Sequence, residues 1–437
     1  MVKFLNTLAT MSIRMITSEQ KALVKATVPV LKENGAVLTD YFYKRMLKNN
    51  PSLKETFNMG NQRSGAQAKA LAGAVLAYAE NIDDPSVLAP VIELICNKHV
   101  SLNIQAPDYD IVGENLLYSI SEVLAISMDD DLIDAWAAAY NQLAQLFIST
   151  ERKIYEQHTK TSGSWLGWRD FTVSSKVHEN SEITSFYLIP KDGGNLPDFR
   201  PGQYISVRVF IPELNLKQPR QYSLSDSSNG KYLRISVKKE EGNLPEQDPG
   251  YVSSTLHNGV NVGDNIEVSA PTGNFFLINS NHTNVFISAG IGITPMVAML
   301  NQIIIENEAA KDDSTLWGKL KTTFSQKEFI PKRVVMIHAA RNPEVHFMRN
   351  EIKHLEEKKS YFESFTAYEN LGQESTIDAD LIGRLDLNKV PSRFLPKNAD
   401  YYLCGPIPFM QIQKDNLIQL GIAPDAIHLE AFGVGGF

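Results

Sequence analysis

The chain has 437 residues, of which 42 are basic and 50 acidic, so its formal charge is −8. At roughly 150 residues per domain this length predicts about three domains, and the acidic balance argues against nucleic acid as a partner. Only two cysteines occur, Cys96 and Cys404, which excludes four-thiolate iron–sulfur clusters, paired-cysteine zinc sites and a disulfide framework. Any redox cofactor must therefore be bound by groups other than cysteine pairs.

The first residues contain two bases and no acid, which loosely fits an organelle transit peptide. The alternative is that these residues are not a targeting signal and that Met11 or Met15 is the initiator. Thr17 and Gln20 match a capping box, so we expect the folded part to begin near Thr17. No apolar run reaches the roughly 18 residues of a membrane span, and few cysteines fit a reducing compartment. We therefore expect a cytoplasmic protein without stable membrane insertion, with organelle import through residues 1–16 as the minor alternative.

Residues 15–157 are predicted to form an all-α domain. Apolar side chains recur there at helical spacing, as in Leu132, Trp136, Tyr140, Leu143 and Phe147. Three prolines mark predicted helix boundaries, at Asn50-Pro51, Asp84-Pro85 and Ala106-Pro107.

Residues 158–167 are predicted to be a linker, after which the apolar period changes from 3.6 to 2. Alternating runs around Ile205, Leu233 and Ile266 predict an antiparallel sheet or β-barrel over 168–279. From 280 to 437, strands alternate with helices, which predicts an α/β domain with a parallel sheet. The fold class is thus a multidomain α + β protein.

Residues 306–331 lengthen the connection between the first helix and the second strand of the last domain. We interpret this segment as a surface excursion, with a lid or a partner-binding segment as the alternative.

His99 is the single histidine of residues 1–157. Pro90 suits the first turn of its helix, and Ile92 and Ile95 share the apolar face of His99. The residue alone fits either a buried, hydrogen-bonded histidine or an axial haem ligand.

Other residues of the helical domain complete a recognisable pattern. Phe57 follows Asn50-Pro51 between two helices, Tyr43 ends the stretch L-T-D-Y-F-Y, and Gln67 and Leu71 lie four residues apart. Together with Lys98-His99, this constellation resembles the globin domain of flavohaemoglobins, and the resemblance extends from about Ser18 to Phe437.

The resemblance implies a role for each residue. His99 would be the iron ligand, with Tyr109 and Glu151 as partners of its other ring nitrogen. Tyr43 and Gln67 would donate hydrogen bonds to bound dioxygen, and Phe57, Leu71 and Lys98 would contact the haem. Without the resemblance, Tyr43 and Tyr109 are equally well aromatic residues of the helix packing, and Glu151 a solvated charge.

The middle domain contains R-P-G-Q-Y at 200–204, R-Q-Y-S at 220–223 and G-Y-V-S-S-T-L-H at 250–257. The second of these matches the R-x-Y-S pattern of ferredoxin-reductase-like flavoproteins, although alone it also fits a polar strand end. An arginine offers a fork of donors for a pyrophosphate, and a tyrosine ring can lie against the isoalloxazine. The FAD-binding residues that follow from the resemblance are Tyr204, Arg220, Gln221, Tyr222, Ser223, Val252 and Ser253.

The last domain contains G-x-G-x-T-P, in which Gly290 and Gly292 would let the backbone approach a phosphate. Thr294 and Pro295 would cap and open a phosphate-binding helix. The motif resembles the NAD(P)H module of the same reductases, as does C-G-P at 404–406. Cys404 and Gly405 would face the nicotinamide, with a structural buried thiol as the alternative for Cys404. Phe432 and Gly433 resemble the segment that shields the flavin.

The family resemblance implies three cofactors, haem b, FAD and NADH or NADPH. Electrons would pass from the nicotinamide through FAD to haem, and nitric oxide and dioxygen would be converted to nitrate, as in a nitric oxide dioxygenase. The alternatives are a haem-based peroxide reductase or anaerobic nitric oxide reductase, an oxygen or nitric oxide sensor, and a flavin reductase with a vestigial helical domain. We expect a monomer. Arg341, after the second strand, favours a 2′-phosphate without deciding between NADH and NADPH.

Overall fold

The computed structural model describes residues 16–242, 249–280, 282–318, 330–373 and 379–433, and of 312–318 the backbone alone. The expectations for the first fifteen residues lie outside the described residues. The N-terminal domain consists of seven α-helices within the described part, as predicted. They are α1 Ser18–Ala26, α2 Val28–Asn49, α3 Met59–Arg63, α4 Ala66–Glu80, α5 Ala89–Ser101, α6 Ala106–Leu124 and α7 Asp131–Lys160.

The predicted starts of three helices in this domain are confirmed. Thr17 and Gln20 form both hydrogen bonds of a capping box at the start of α1. Pro90 lies in the first turn of α5, and Pro107 in the first turn of α6. Both prolines fit there because the first-turn N–H groups have no partner within a helix.

The middle domain is a six-stranded antiparallel sheet with the order β4-β3-β6-β1-β2-β5. Its strands are β1 Trp168–His178, β2 Ile183–Pro190, β3 Tyr204–Ile211, β4 Leu216–Ser223, β5 Leu233–Lys238 and β6 Asn265–Ser269. The sheet curls so that Leu224, next to β4, pairs with Ile235 of β5. The short helix α8, Tyr251–Asn258, packs against β3 and β4.

The C-terminal domain is a parallel sheet with the order β10-β9-β8-β7-β11-β12. Its strands are β7 Thr283–Ala289, β8 Val334–Ala340, β9 Phe362–Tyr368, β10 Leu381–Ile382, β11 Ala399–Gly405 and β12 Ile427–Ala431. Its helices are α9 Ile293–Gly318, α10 Arg349–Lys358 and α11 Ile407–Gln419.

Alternate residues of the parallel strands face two separate cores, because successive side chains of a strand point to opposite faces. Phe286, Tyr402 and Cys404 pack on the side of α9, while Val285 and Leu403 pack on the other side. Ile183 and Phe275 of the middle domain enter the first of these cores, so the two domains share apolar packing.

Two predicted boundaries differ from the structure. Helix α7 continues to Lys160, so residues 158–160 of the predicted linker are helical. Helix α9 continues to Gly318, so the first part of the 306–331 insertion extends a helix. Residues 319–329 lie outside the described residues, and the lid or partner-binding alternative stays untested.

Among the described residues, no single helix is long and apolar enough to cross a membrane. Pro85–Ser101 and Ala106–Leu124, bent by 113° relative to each other, meet the length and composition requirement only as a pair.

Candidate functional site

His99 lies near the end of α5 with one ring nitrogen firmly oriented. Its Nδ1 is 2.8 Å from Glu151 Oε1 and 3.0 Å from the Tyr109 hydroxyl. Tyr109 donates to the same Glu151 oxygen at 2.5 Å. Burial, and then the Glu151 charge, raises the pKa of the Tyr109 phenol well above its usual value. Since Nδ1 is engaged by these partners, the ring orientation is fixed.

The other ring nitrogen of His99 is available to a ligand. No hydrogen bond joins Nε2 to the described residues, and 30% of the side chain is exposed. Glu151 is almost completely buried, so its carboxylate depends on His99 and Tyr109 for partners. A histidine with a carboxylate on one nitrogen and the other nitrogen free is the donor arrangement of an axial metal ligand. These residues therefore fit a haem iron.

The predicted distal residues form a second cluster. Tyr43 of α2 is buried, and its ring contacts Phe57 in a T-shaped pair with centroids 5.6 Å apart. Burial raises the pKa of the Tyr43 phenol, and the nearby Gln67 amide lowers it by a smaller amount. Gln67 Oε1 is buried without a hydrogen-bond partner among the described residues. A protonated phenol beside an amide whose oxygen has no partner fits a small polar ligand.

Apolar packing connects the two clusters. Tyr43, Phe57 and Leu71 belong to the main core of the helical domain, and the residues around His99 form a smaller core. Leu88 and Leu143 pack against both. The structure thus places the two predicted groups of residues in neighbouring cores of one domain.

Lys98 contacts the C-terminal domain, a contact that the sequence did not suggest. Its ammonium donates to the Gly433 carbonyl at 3.3 Å. Burial lowers the pKa of Lys98, and nearby Arg220 lowers it further, whereas Glu430 raises it. Burial raises the pKa of Glu430 to about 7, and Lys98 opposes that shift. We did not predict Glu430, although it directly precedes the recognised A-F-G segment.

Strand β4 carries two polar groups without partners among the described residues, the half-buried Arg220 side chain and the Tyr222 hydroxyl. No hydrogen bond or ion pair joins the Arg220 guanidinium to those residues, and burial lowers its pKa. The Tyr222 hydroxyl is buried and also unpaired, and burial raises its pKa. Such groups destabilise a fold unless a ligand pairs with them. A guanidinium and a phenol on one strand fit the pyrophosphate and the isoalloxazine of a flavin nucleotide.

The other predicted flavin residues differ in their surroundings. Ser223 is buried at the end of β4, whereas the Gln221 amide donates to Ser206 at 3.0 Å. Tyr204 is buried, and its ring leaves no room for a side chain at Gly273, where an added Cβ would lie 2.9 Å from the Tyr204 Cε1 atom. Burial, and then Glu430, raises the pKa of Tyr204.

Helix α8 presents an uncapped N-terminus. Gly250 precedes it with no side-chain cap, and Val252 and Ser253 lie buried in its first turn. Free N–H groups at a helix start bind phosphate. At the other end, Lys176 Nζ donates to the carbonyls of Leu256, His257 and Val260 at 3.2, 2.7 and 2.8 Å.

The glycine turn of the C-terminal domain corrects one prediction. Gly290 has φ of 53°, a conformation that glycine adopts without strain, and no atom lies within 4 Å of an added Cβ. At Gly292, however, an added Cβ would lie 2.3 Å from the Cys404 carbonyl oxygen. Gly292 therefore serves close packing against β11, whereas Gly290 leaves space for a ligand.

Thr294 also differs from its predicted role. It lies inside the helix, which begins at Ile293, and its hydroxyl donates to the Ile291 carbonyl at 2.9 Å. A short 3-10 turn at Gly290–Gly292 opens the helix instead, and Pro295 is buried in the first turn.

Cys404 and Gly405 end strand β11, both buried. The Cys404 thiol packs in the core beside α9, and burial raises its pKa well above the usual value. This placement agrees with the structural alternative for the thiol.

Phe432 and Gly433 are exposed at the end of the described chain. Arg341 is ion-paired with Glu182 of the middle domain, a contact that the sequence did not suggest.

Comparison with known proteins gives a consistent result for each domain. The globin family model matches residues 40–146, the oxidoreductase FAD-binding domain matches 170–277, and the oxidoreductase NAD-binding domain matches 286–415.

Curated relatives match over the full length. The chain is 49% identical to a flavohemoprotein of Bordetella parapertussis, over 97% of this chain and all of the relative. It is 47% identical to a flavohemoprotein of Chromobacterium violaceum, over 96% of this chain and 98% of the relative.

Two solved structures resemble the chain. A flavohemoglobin from Malassezia yamatoensis, solved with bound FAD and heme, has a TM-score of 0.79 at 26% identity and covers 96% of this chain and all of its own. The FAD/NAD-binding domain of a nitric oxide dioxygenase from Vibrio cholerae has a TM-score of 0.51 at 35% identity, over 61% of this chain and 98% of its own.

Proposed function

Because the chain belongs to the flavohaemoprotein family, we propose that it is a nitric oxide dioxygenase that converts nitric oxide and dioxygen to nitrate. Its globin, FAD-binding and NAD-binding domains make it an oxidoreductase that passes electrons from NADH to FAD and then to haem. When bound, the flavin accepts two electrons as hydride and releases them singly, and the haem supplies the one-electron chemistry and the dioxygen site.

The observation that carries the proposal is the His99–Glu151–Tyr109 arrangement within a chain that also has a complete reductase. The buried Glu151 carboxylate lies 2.8 Å from His99 Nδ1. A carboxylate there fixes the tautomer, directs Nε2 toward a metal and raises the basicity of the ring. A more basic ligand donates more electron density, which favours oxygen chemistry over simple reversible binding.

The distal side chains supply the second contribution. Since burial keeps the Tyr43 phenol protonated, its O–H donates to a ligand that accumulates negative charge. The apolar Leu71 side chain, half-buried on the same helix as Gln67, favours a small diatomic gas over a bulky peroxide.

The product of turnover distinguishes the proposal from its alternatives. Purified holoprotein is supplied with NADH, dioxygen and nitric oxide, and gas loss and products are measured. We expect rapid nitric oxide loss with nitrate as the main product. Nitrous oxide as the main product would instead identify a nitric oxide reductase, and binding without NADH turnover would identify a sensor.

The iron ligand is tested separately. His99→Ala should remove the Soret band while the flavin absorbance remains, because the iron loses its protein ligand. His158→Ala is the matched control, since His158 is another buried histidine of the helical domain and should retain the Soret band. A Soret band that survives His99→Ala would contradict the assignment.

A further inference from the structure

Two buried serines join the helix of His99 to the flavin domain. Ser101 is the last residue of α5, and Ser206 lies in β3. Ser206 donates to Ser101 with their Oγ atoms 2.8 Å apart, and both residues are fully enclosed, at 1% and 0% exposure. We call this contact the Ser101–Ser206 bridge.

Two further hydrogen bonds extend the bridge, one at each end, and all three bonds have their donors on the same side. Gln221, the cross-strand partner of Ser206, donates its amide to the Ser206 hydroxyl at 3.0 Å. Ser101 in turn donates to the Lys98 carbonyl at 2.7 Å. The line therefore begins between Arg220 and Tyr222 of the flavin strand and ends at the residue that precedes His99. Hydrogen bonds in such a chain polarise one another in a low-dielectric interior.

A second buried contact fixes the same helix. Asn97 Oδ1 accepts from the Thr272 hydroxyl at 2.7 Å and from the Gly273 N–H at 3.0 Å. Thr272 pairs through both backbone hydrogen bonds with Tyr204 at the start of β3. Helix α5 is thus attached to the flavin domain at two points, four residues apart and on either side of His99.

We propose that Asn97, Ser101 and Ser206 are positioning residues for the transfer of single electrons from FAD to haem. NADH gives a hydride to FAD, and the reduced flavin then passes one electron to the ferric iron, which becomes ferrous. The flavin passes its second electron only after that iron has been reoxidised in turnover, and its proton passes to solvent. The rate of such a step depends on the distance between the two groups and on their relative orientation. The buried bonds hold that placement. This inference concerns electron transfer alone and is independent of nitric oxide chemistry.

Anaerobic stopped-flow mixing of the holoprotein with NADH separates the two half-reactions. In Ser206→Ala, we expect flavin reduction at the original rate and haem reduction slowed about fivefold, which corresponds to ~1 kcal/mol. Ser101→Ala should also slow haem reduction, and the double variant should slow it by less than the product of the two single effects, because both changes remove the shared Ser101–Ser206 bond. Equal slowing of both half-reactions, no slowing, or additive effects in the double variant would overturn the proposal.

Ser185→Ala is the matched control. Ser185 and Ser236 form a buried Oγ–Oγ bond of 2.7 Å within the same sheet, and Ser185 is fully buried. Its loss removes a comparable hydrogen bond without touching α5, so haem reduction should keep its rate. If Ser185→Ala slowed haem reduction as much as Ser206→Ala, the effect would be general destabilisation and the proposal would be wrong.

Two further measurements test the positioning role. In the resting oxidised protein, amide hydrogen exchange of residues 98–104 should rise in Ser206→Ala and stay unchanged in Ser185→Ala. Asn97→Leu should also slow haem reduction selectively, whereas Asn97→Asp, which keeps an oxygen acceptor for Thr272 and Gly273, should recover much of the rate. Unchanged exchange in Ser206→Ala, or equal rates in the two Asn97 variants, would count against the proposal.

Discussion

At the residue scale, the buried polar groups of the candidate site are of two kinds: some hydrogen-bond with one another, and others have no partner among the described residues. His99, Tyr109 and Glu151 satisfy one another. The Tyr222 hydroxyl and Gln67 Oε1 are buried without partners among the described residues. An unpaired buried group costs about 1–3 kcal/mol, and a ligand that pairs with it removes that cost. A flavin that binds at Tyr222 would therefore stabilise the folded chain.

Arg220→Met tests this argument through opposite effects on the free and FAD-bound protein. We expect FAD affinity to fall about 10- to 100-fold, because a charge-assisted hydrogen bond is worth about 1.5–3 kcal/mol. The FAD-free protein should be equally stable or more stable by ~1 kcal/mol, since a desolvated guanidinium is removed. Fluorescence titration with FAD and urea unfolding measure the two quantities.

Arg208→Met is the control for Arg220→Met. Arg208 forms two hydrogen bonds of 2.9 Å with Glu267 in the same sheet. Its loss should destabilise the FAD-free protein and leave FAD affinity within about twofold. Destabilisation of the FAD-free protein by Arg220→Met would show that Arg220 has a structural partner instead.

Glu430 predicts a pH dependence of stability. Burial raises its pKa in the folded protein to about 7, above its ordinary value of 4.5. Between those values the folded state binds a proton that the unfolded state has lost, so stability falls as pH rises from about 4.5 to 7. Glu430→Gln does not ionise, and its stability relative to the original chain should increase by about 1–3 kcal/mol over this range.

Thermal unfolding of both proteins between about pH 4.5 and 8 measures that difference. The exposed Glu351 of α10 provides the control, and Glu351→Gln should give a difference that is constant with pH. A pH-independent difference for Glu430→Gln would mean that Lys98 keeps the carboxylate ionised in the folded protein.

The sequence predicted the residues that stand in recognisable motifs and missed those that act through polar contacts with another domain. His99, Tyr43, Arg220 and Tyr222 stand in short motifs, and the structure gives each an environment that fits a ligand. Asn97, Ser206 and Glu430 are common residue types without a motif. Their importance comes from partners in another domain, and a single sequence does not specify which surfaces of two domains meet.

At the element scale, strand β4 was not among the predicted apolar runs because its apolar and polar residues alternate weakly. Strand β4 contains Pro219 and the polar run of the flavin motif, and it lies at the edge of its sheet. Proline is tolerated in an edge strand because its missing N–H faces away from the neighbouring strand. Strands β3, β5 and β8 were predicted, since their buried residues alternate or form an apolar run.

Lys176→Met tests how helix α8 is oriented toward FAD. The Lys176 ammonium binds three carbonyls at the C-terminal end of α8, opposite the uncapped end that we assign to phosphate. Its loss should destabilise the domain by about 2 kcal/mol and weaken FAD binding about tenfold. Urea unfolding and FAD titration measure both effects.

A neighbouring lysine provides the comparison. Among the described residues, Glu240 is the acidic partner of Lys238 in β5, at 3.8 Å, and both side chains are substantially exposed. Lys238→Met should change stability by less than about 0.5 kcal/mol and leave FAD affinity unchanged. If Lys176→Met altered stability but not FAD affinity, α8 would not carry the phosphate site.

At the scale of the whole molecule, length predicted three domains, but polar contacts of individual residues determine how they dock. The segment 54–63, which contains Phe57, lies against β4 of the flavin domain. Gln218 accepts from the Met59 N–H at 2.9 Å and donates to the Lys54 carbonyl at 2.7 Å. A buried amide thus helps to join the distal haem segment to the flavin strand, beside the bond from the Lys217 N–H to Glu55 at 3.2 Å.

Gln218→Leu should loosen the distal segment without unfolding either domain. Gln218 is 2% exposed, so leucine fills its space but leaves the Met59 N–H and the Lys54 carbonyl unpaired, at a cost of about 1–3 kcal/mol. We expect faster amide exchange in residues 54–63 and faster ligand escape from the haem, since Phe57 contacts Tyr43. The matched control is Gln413→Leu, another buried amide, which donates to the Leu385 carbonyl in the C-terminal domain. Because it lies outside this interface, it should leave exchange in residues 54–63 unchanged, and equal effects of both variants would show that the distal segment does not depend on the flavin strand.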